Sequence, residues 1–312
     1  MKLGFLTACL PDSPLEDIAE FAAATGYEAL EIAAWPSLDN RPFTATHIDV
    51  DPLTPAETGR VRTCLEKHGL TGSSLAYYGN NLHPDAEERR ATNQHVLRCI
   101  DAAAELGIPT VGTFVGRHPG RSVAENLRDA EQVFPPLVEH ARRRGVSIVI
   151  ENCVMEGWHP DGYPGNLAYS PELWEWMFTL GLELNFDPSH LLWLGIDPVE
   201  AVRPHLDHVA HVQAKDIELF ADRRNRYGFF GKAVSRHDPW DTGWWRYRVP
   251  GLGAVDWVRL VDALYEGGYD GTISVEHEDP VWSGDPDRVR TGLEIAHRTL
   301  RPLIIEQGGS NA

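Results

Sequence analysis

Short apolar runs alternate with longer stretches of helical periodicity from one end of the chain to the other. The runs are KLGFLTA (2–8), ALEIAA (29–34), LTGSSLAY (70–77), PTVGTFV (109–115), VSIVIE (146–151), LELNFD (182–187), HVAHVQAKD (208–216) and TISVE (272–276). Each has the length of a strand rather than of a helix. Between them, apolar residues recur every three to four positions. After Pro14, the stripe Leu15, Ile18, Ala19 and Ala22 predicts a helix that Gly26 closes. The same reading predicts helices from Pro55 to Gly69, over 86–106, from a Ser122 cap to Arg144, and at about 170–180, 197–205, 254–267 and 285–305.

Strict alternation of strand and helix argues for a parallel sheet, and eight units match a closed (β/α)8 TIM barrel. With 312 residues and no internal linker or repeat, the chain is expected to form a single-domain barrel over 1–307 with a disordered tail at 308–312. The longest connection, 217–253, is rich in Arg, Gly and Trp and contains GWWRYRVPGLG. A connection of that length is expected to be a lid or binding loop.

Composition narrows the classes of function. A net charge of −18, from 28 Lys and Arg against 46 Asp and Glu, disfavours nucleic acid as a partner. Four scattered cysteines, Cys9, Cys64, Cys99 and Cys153, form neither a disulfide framework nor a zinc motif and fit a reducing interior. The start, MKLGFLTACLPDSP, does not read as a signal peptide, and no long apolar run suits a membrane span, so the cytoplasm is the expected location. Of the ten tryptophans, three fall within 240–245, which suggests a loop that a partner could cover and so a homo-oligomer.

Candidate chemistry concentrates where strands end. Active sites of such barrels lie at the C-terminal ends of the strands, and Glu151, Asp187, Gln213 and Glu276 end strands five to eight. Taken singly, each acid is equally well read as a helix cap or a loop charge. Taken together, converging carboxylates repel one another unless a cation neutralises them, and a divalent metal does so most simply. In AHVQAKDIELF (210–220), His211, Gln213 and Lys215 share one face of a strand in ascending layers.

IEN (150–152), NFDPSH (185–190), HVQAKD (211–216) and SVEHED (274–279) together resemble the xylose isomerase-like superfamily of (β/α)8 barrels. The nearest part is the sugar phosphate isomerase/epimerase group that includes D-tagatose 3-epimerase and inosose dehydratase. RVPGLGAVDW (248–257) is similar to the PGxGxxDW stretch of many members. The resemblance covers nearly the whole chain and implies a metal-dependent enzyme acting on a carbohydrate. It places the metal ligands on Glu151, Asp187, Gln213 and Glu276, and the substrate-binding histidine of DxxH on His190. Glu151 and Glu276 would then combine ligation with acid–base work. One position departs from the family, since Gln213 stands where HxHxKD has its ligating second histidine. A glutamine ligates through oxygen, and an all-oxygen site favours Mn²⁺ or Mg²⁺, with Co²⁺ and Zn²⁺ as further candidates. His211 is the alternative ligand, but it lies one layer deeper, about 6–7 Å along the strand, where it would support the site.

Other residues are read individually. Lys215 is expected at the rim, holding a substrate oxyanion or pairing with Asp216. Arg246 and Arg248 could hold a substrate anion or form salt bridges, and Glu156 and His159 could touch a hydroxyl. Trp35, Tyr77, Phe114 and Trp193 could stack on a sugar or pack at the rim, and Cys153 reads as packing. The expected function is a metal-dependent isomerase or epimerase of ketoses working through an enediolate. Its alternative is a dehydratase or lyase of keto-sugars or keto-inositols. An abasic-site endonuclease is opposed by the charge, and a non-catalytic sugar-binding barrel is encouraged only by Gln213.

Overall fold

The computed structural model describes residues 1–37, 44–159, 163–235 and 241–305, so the tail expected at 308–312 lies outside the described residues. Eight parallel strands close into a barrel in the spatial order β1, β10, β7, β6, β5, β4, β3, β2. They are β1 (Lys2–Leu6), β2 (Ala29–Ala33), β3 (Thr71–Asn80), β4 (Thr110–Phe114), β5 (Ser147–Glu151), β6 (Glu183–Phe186), β7 (Val209–Ala214) and β10 (Thr272–Val275). The strands are those the apolar runs predict, shifted by a residue or two at most of their ends. The fold is a single-domain (β/α)8 barrel.

Local chemistry explains the helices that space these strands. In α3 (Ala86–Leu106) the Asp85 side chain accepts from the backbone N–H groups of Glu87 and Glu88. In α4 (Val123–Arg144) Ser122 and Glu125 form a reciprocal capping box. Such caps satisfy amide groups that a helix start leaves without partners. Gly107 and Gly145 end these two helices in the left-handed conformation. The apolar faces of α1 (Leu15–Thr25), α2 (Pro55–His68), α3 and α4 pack on the outside of the barrel. No helix among the described residues is long and apolar enough to cross a membrane.

The structure differs from the sequence reading after β6 and within the lid. The helix α5 (Pro171–Phe178) leads into β6, and a short helix α6 (Ser189–Trp193) then follows that strand directly, ahead of α7 (Pro198–Val202). The lid is folded. Strand β8 (Asp216–Leu219) begins one residue after β7 ends and pairs antiparallel with β9 (Trp245–Arg248), and α8 (Ala221–Tyr227) lies between them. This hairpin encloses a second apolar cluster of Val154, Trp193, Ile217, Trp244 and Trp245. Trp193 stacks on Trp245 with ring centroids 4.9 Å apart.

Asp216 ties the lid to the barrel. Its buried carboxylate accepts from the backbone N–H of Ile217 (2.8 Å), Gly251 (2.9 Å) and Val255 (2.9 Å), and from Trp257 Nε1 (3.0 Å). This explains the PGLGAVDW stretch. A side chain at Gly253 would meet Asp216 Oδ1 at 2.2 Å and the Ile217 carbonyl at 2.5 Å, so only glycine lets the turn close on the aspartate. Asp216 therefore serves the lid and not Lys215. Removing the carboxylate leaves several buried donors without partners at about 1–3 kcal/mol each. Asp216→Ala should destabilise the chain by about 3 kcal/mol or more in urea unfolding, and a loss below about 1 kcal/mol would refute the anchoring role.

Candidate active site

The strands that carry the candidate residues, β5, β6, β7 and β10, are consecutive neighbours in the barrel wall. Their ends therefore meet. Ligand-type oxygens of Glu151, Asp187 and Glu276 lie within 4.8 Å of one another, and all three side chains are buried. Gln213, two residues before Lys215 on the β7 face, is fully buried as well.

Lys215 lies at the centre of these acids rather than at the rim, and it is only 1% exposed. Its Nζ is 2.7 Å from Glu276, 3.2 Å from Asp187, 3.3 Å from Glu278 and 3.9 Å from Glu151. The Tyr247 ring of β9 closes over the ammonium, its centroid 4.6 Å away. Burial by itself would lower the lysine pKa, but Glu276, Glu278, Asp187 and Glu151 together hold it well above its ordinary value. Four carboxylates facing one ammonium still leave an excess of negative charge.

The acids register that excess. Burial raises the Glu151 carboxyl to about 7, against the opposing pull of Lys215 and with a further push from Glu31. Burial and then the charge of Glu151 raise Glu276 well above the usual carboxylate range. His190, on α6, bridges two elements. Its Nε2 lies 3.0 Å from Glu151 Oε1 and 3.3 Å from Asp187 Oδ2, and its Nδ1 lies 3.0 Å from the Tyr247 hydroxyl. Burial, reinforced by Lys215, lowers its pKa to about 3, so the ring is neutral at pH 7. With Tyr247 donating to Nδ1, the Nε2–H donates to Glu151.

Beneath the carboxylates the barrel is filled by a polar network where branched apolar layers are usual. The Tyr78 hydroxyl of β3 donates to Glu31 Oε1 of β2 (2.5 Å) and accepts from Asn185 Nδ2 of β6 (2.8 Å). Gln213 Nε2 donates to Glu31 (3.1 Å) and to the Tyr78 hydroxyl (3.0 Å). His211 contacts Asn185 Oδ1 through Nδ1 (3.0 Å) and Ser73 Oγ through Nε2 (3.2 Å). Both His211 nitrogens are thus engaged below the acids, and its pKa is lowered by burial.

The residues present fit a divalent cation. Gln213 Oε1 is buried and accepts no hydrogen bond among the described residues, whereas Asp187 Oδ2 is contacted by Lys215 and His190. A buried acceptor left without a partner costs about 1–3 kcal/mol unless something binds it. The three converging carboxylates form a hard oxygen donor set.

Other candidates sit further out or are already engaged. Arg248 spends Nε on Asp279 (2.9 Å) and Nη1 on Glu218 (2.8 Å), and Arg246 also pairs with Glu218. Trp35 and Phe114 pack on Tyr78 at 5.8 and 5.1 Å between ring centroids, while Tyr77 turns toward His95. Cys153 is buried, and its thiol is pushed well up by burial and by Glu151, which suits packing and not a nucleophile. Sequence reasoning missed Glu31, Tyr78, Asn185, Tyr247 and Glu278. The lone acid inside ALEIAA and the alternation of Glu276 with Glu278 are the signals that could have found two of them.

The raised Glu151 pKa has a signed consequence. The folded chain keeps this proton to a higher pH than the unfolded chain, so the carboxyl's contribution to stability is full below about 4.5 and lost as pH rises through about 7. In chelator, the melting temperature of the native chain relative to Glu151→Gln should fall across that window. A difference that stays flat or rises there would overturn the assignment.

Comparisons with known proteins bear on the family and the fold. The chain is 28% identical over 334 aligned residues to the uncharacterised protein YfiH of Bacillus subtilis (strain 168), covering 96% of this chain and 99% of YfiH. It is 31% identical over 130 residues to the inosose dehydratase of Geobacillus kaustophilus (strain HTA426), covering 40% of this chain and only 39% of that enzyme. Among solved structures, D-psicose 3-epimerase from Clostridium cellulolyticum H10 superposes with a TM-score of 0.68 at 15% identity, covering 97% of this chain and 99% of that one. The IOLI protein with a bound zinc atom superposes with a TM-score of 0.67 at 19% identity, covering 97% and 96%. The family model described as the xylose isomerase-like TIM barrel matches residues 19–299. On that match and on the closed barrel, the chain belongs to the xylose isomerase-like TIM barrel family.

Proposed function

We propose that the chain is a divalent-metal-dependent isomerase or epimerase of a ketose or keto-sugar, with Glu151 and Glu276 as its acid and base. The observation that carries this reading is the convergence of Glu151, Asp187 and Glu276 within 4.8 Å, with the Glu151 carboxyl raised by burial to about 7 and Glu276 raised well above the usual carboxylate range. A carboxyl tuned this way can hold a proton or release it near neutrality, as proton shuttling beside a carbonyl requires. Glu151, Asp187, Glu276 and the Gln213 carbonyl oxygen would hold the metal, for which Mn²⁺ or Mg²⁺ suits the oxygen set. Bound there, a divalent ion would polarise the substrate carbonyl and offset the charge of the enediolate.

The chain's own residues account for the remaining steps. One glutamate removes the proton from the carbon beside the carbonyl, and the other returns a proton to the opposite face, inverting the centre. His190, held by Tyr247, steadies Glu151 and presents an N–H at the site. Lys215 balances part of the charge that the carboxylates accumulate. Tyr247, supplied by the lid hairpin, screens the ammonium from water. His211 braces the layer below, and Arg248 is left to its pairs with Asp279 and Glu218.

The local likeness to inosose dehydratase supports a second reading, a keto-sugar or keto-inositol dehydratase. There the same proton abstraction is followed by loss of a β-hydroxyl, and water loss seen as absorbance of an unsaturated ketone separates the two. On the favoured reading, Glu151→Gln and Glu276→Gln should each abolish solvent-deuterium exchange at a ketose carbon, with elemental analysis showing one divalent ion per native chain. Exchange retained in both variants would rule out the two-glutamate mechanism.

A further inference from the structure

We propose that Glu31 is the positioning residue for Gln213, fixing the side-chain amide so that Oε1 is the atom offered to a cation. The proposal rests on the reading of Gln213 as a metal ligand. Gln213 Nε2 carries two hydrogens, and the structure gives each an acceptor. One points to Glu31, 3.1 Å from Oε1 and 3.4 Å from Oε2, and the other to the Tyr78 hydroxyl at 3.0 Å.

Tyr78 can only accept there. Its own hydrogen is spent on Glu31 at 2.5 Å, and Asn185 Nδ2 donates to the same hydroxyl at 2.8 Å. Ser274 Oγ donates to Glu31 Oε2 at 2.8 Å. Asn185 Oδ1 in turn takes the hydrogen of His211 Nδ1. A reversed Gln213 amide would set Oε1 against the Glu31 oxygens, acceptor facing acceptor, and strand both N–H bonds. The directed network thus selects one of the two amide orientations, and the atom left over, Oε1, is buried without a partner. Gly112 makes the arrangement possible, because a side chain there would meet the Tyr78 hydroxyl at 2.5 Å.

A glutamine needs such a device more than a histidine does. Its two amide ends are close to the same shape and opposite in function, so a neighbour must choose between them. Glu31, an acceptor on both oxygens, makes that choice.

Titration calorimetry of Mn²⁺ into the native chain, E31Q, Q213A and the double variant tests the proposal, with thermal unfolding to show that each is folded. The amide that E31Q introduces can donate to Gln213 Oε1 and close it, so this variant should weaken Mn²⁺ binding about 10–100-fold, the usual scale for residues that orient ligands. In the Q213A background the same change should have no further effect. If E31Q does not fold, Tyr78→Phe removes one acceptor of the amide and should weaken binding in the native background only. Equal losses in the two backgrounds, or an E31Q affinity within twofold of native, would overturn the role of Glu31 while leaving the metal reading intact. Native affinity in Q213A would overturn the role of Gln213 and this proposal with it. A native chain that binds no Mn²⁺ would instead sink the metal reading itself.

Discussion

Negative charge confined to a small dry volume governs the upper half of this barrel. Glu151, Asp187, Glu276 and Glu278 surround one ammonium, the first three buried and Glu278 partly so. Buried charges of one sign are tolerated only when paired and hydrogen-bonded. The surrounding features answer that requirement. Lys215 reaches into the centre, His190 stays neutral and donates, and Tyr247 lays an aromatic face over the cation. Two acids register the burial, with Glu151 raised to about 7 and Glu276 raised well above the usual carboxylate range.

The lower layer solves a related problem. A buried glutamate, Glu31, is satisfied there by three neutral donors, Tyr78, Gln213 and Ser274, with no ion pair among the described residues. Donation runs from His211 through Asn185 and Tyr78 to Glu31, and Gln213 donates to both Tyr78 and Glu31. The shared hydrogen bonds stiffen the floor of the site, while Gln213 Oε1 accepts nothing among the described residues. The two neighbouring polar residues of HVQ, His211 and Gln213, are held by the same network at different heights.

The barrel was legible in the chain because each of its strands is an apolar run, so period and length alone separate strands from helices. The carboxylates were legible because they end those runs. The lid hairpin was not, since β8 follows β7 after a single residue and the alternating WRYR of β9 is only four residues long. Lys215 and Asp216 show where pattern stops short. Adjacent in sequence, they could be paired on paper, yet the pleat sends one into the carboxylates and the other to the backbone of 251–255. Glu31 was hidden in an apolar strand, where only three-dimensional partners reveal its use.

The antiparallel pairing of Leu219 with Trp245 also closes the neck of the lid. The two ends of the 220–244 insertion are held together by the hairpin, and Asp216 clamps the chain where it returns to the barrel. Length and composition within the insertion can then drift at small entropic cost, since closing a longer loop adds little once its ends are pinned. Lineages can remodel the roof over the same carboxylates by insertion or deletion, while Tyr247 and the barrel below stay in register. Change within this hairpin can alter what lies above the carboxylates without moving the strand ends that hold them.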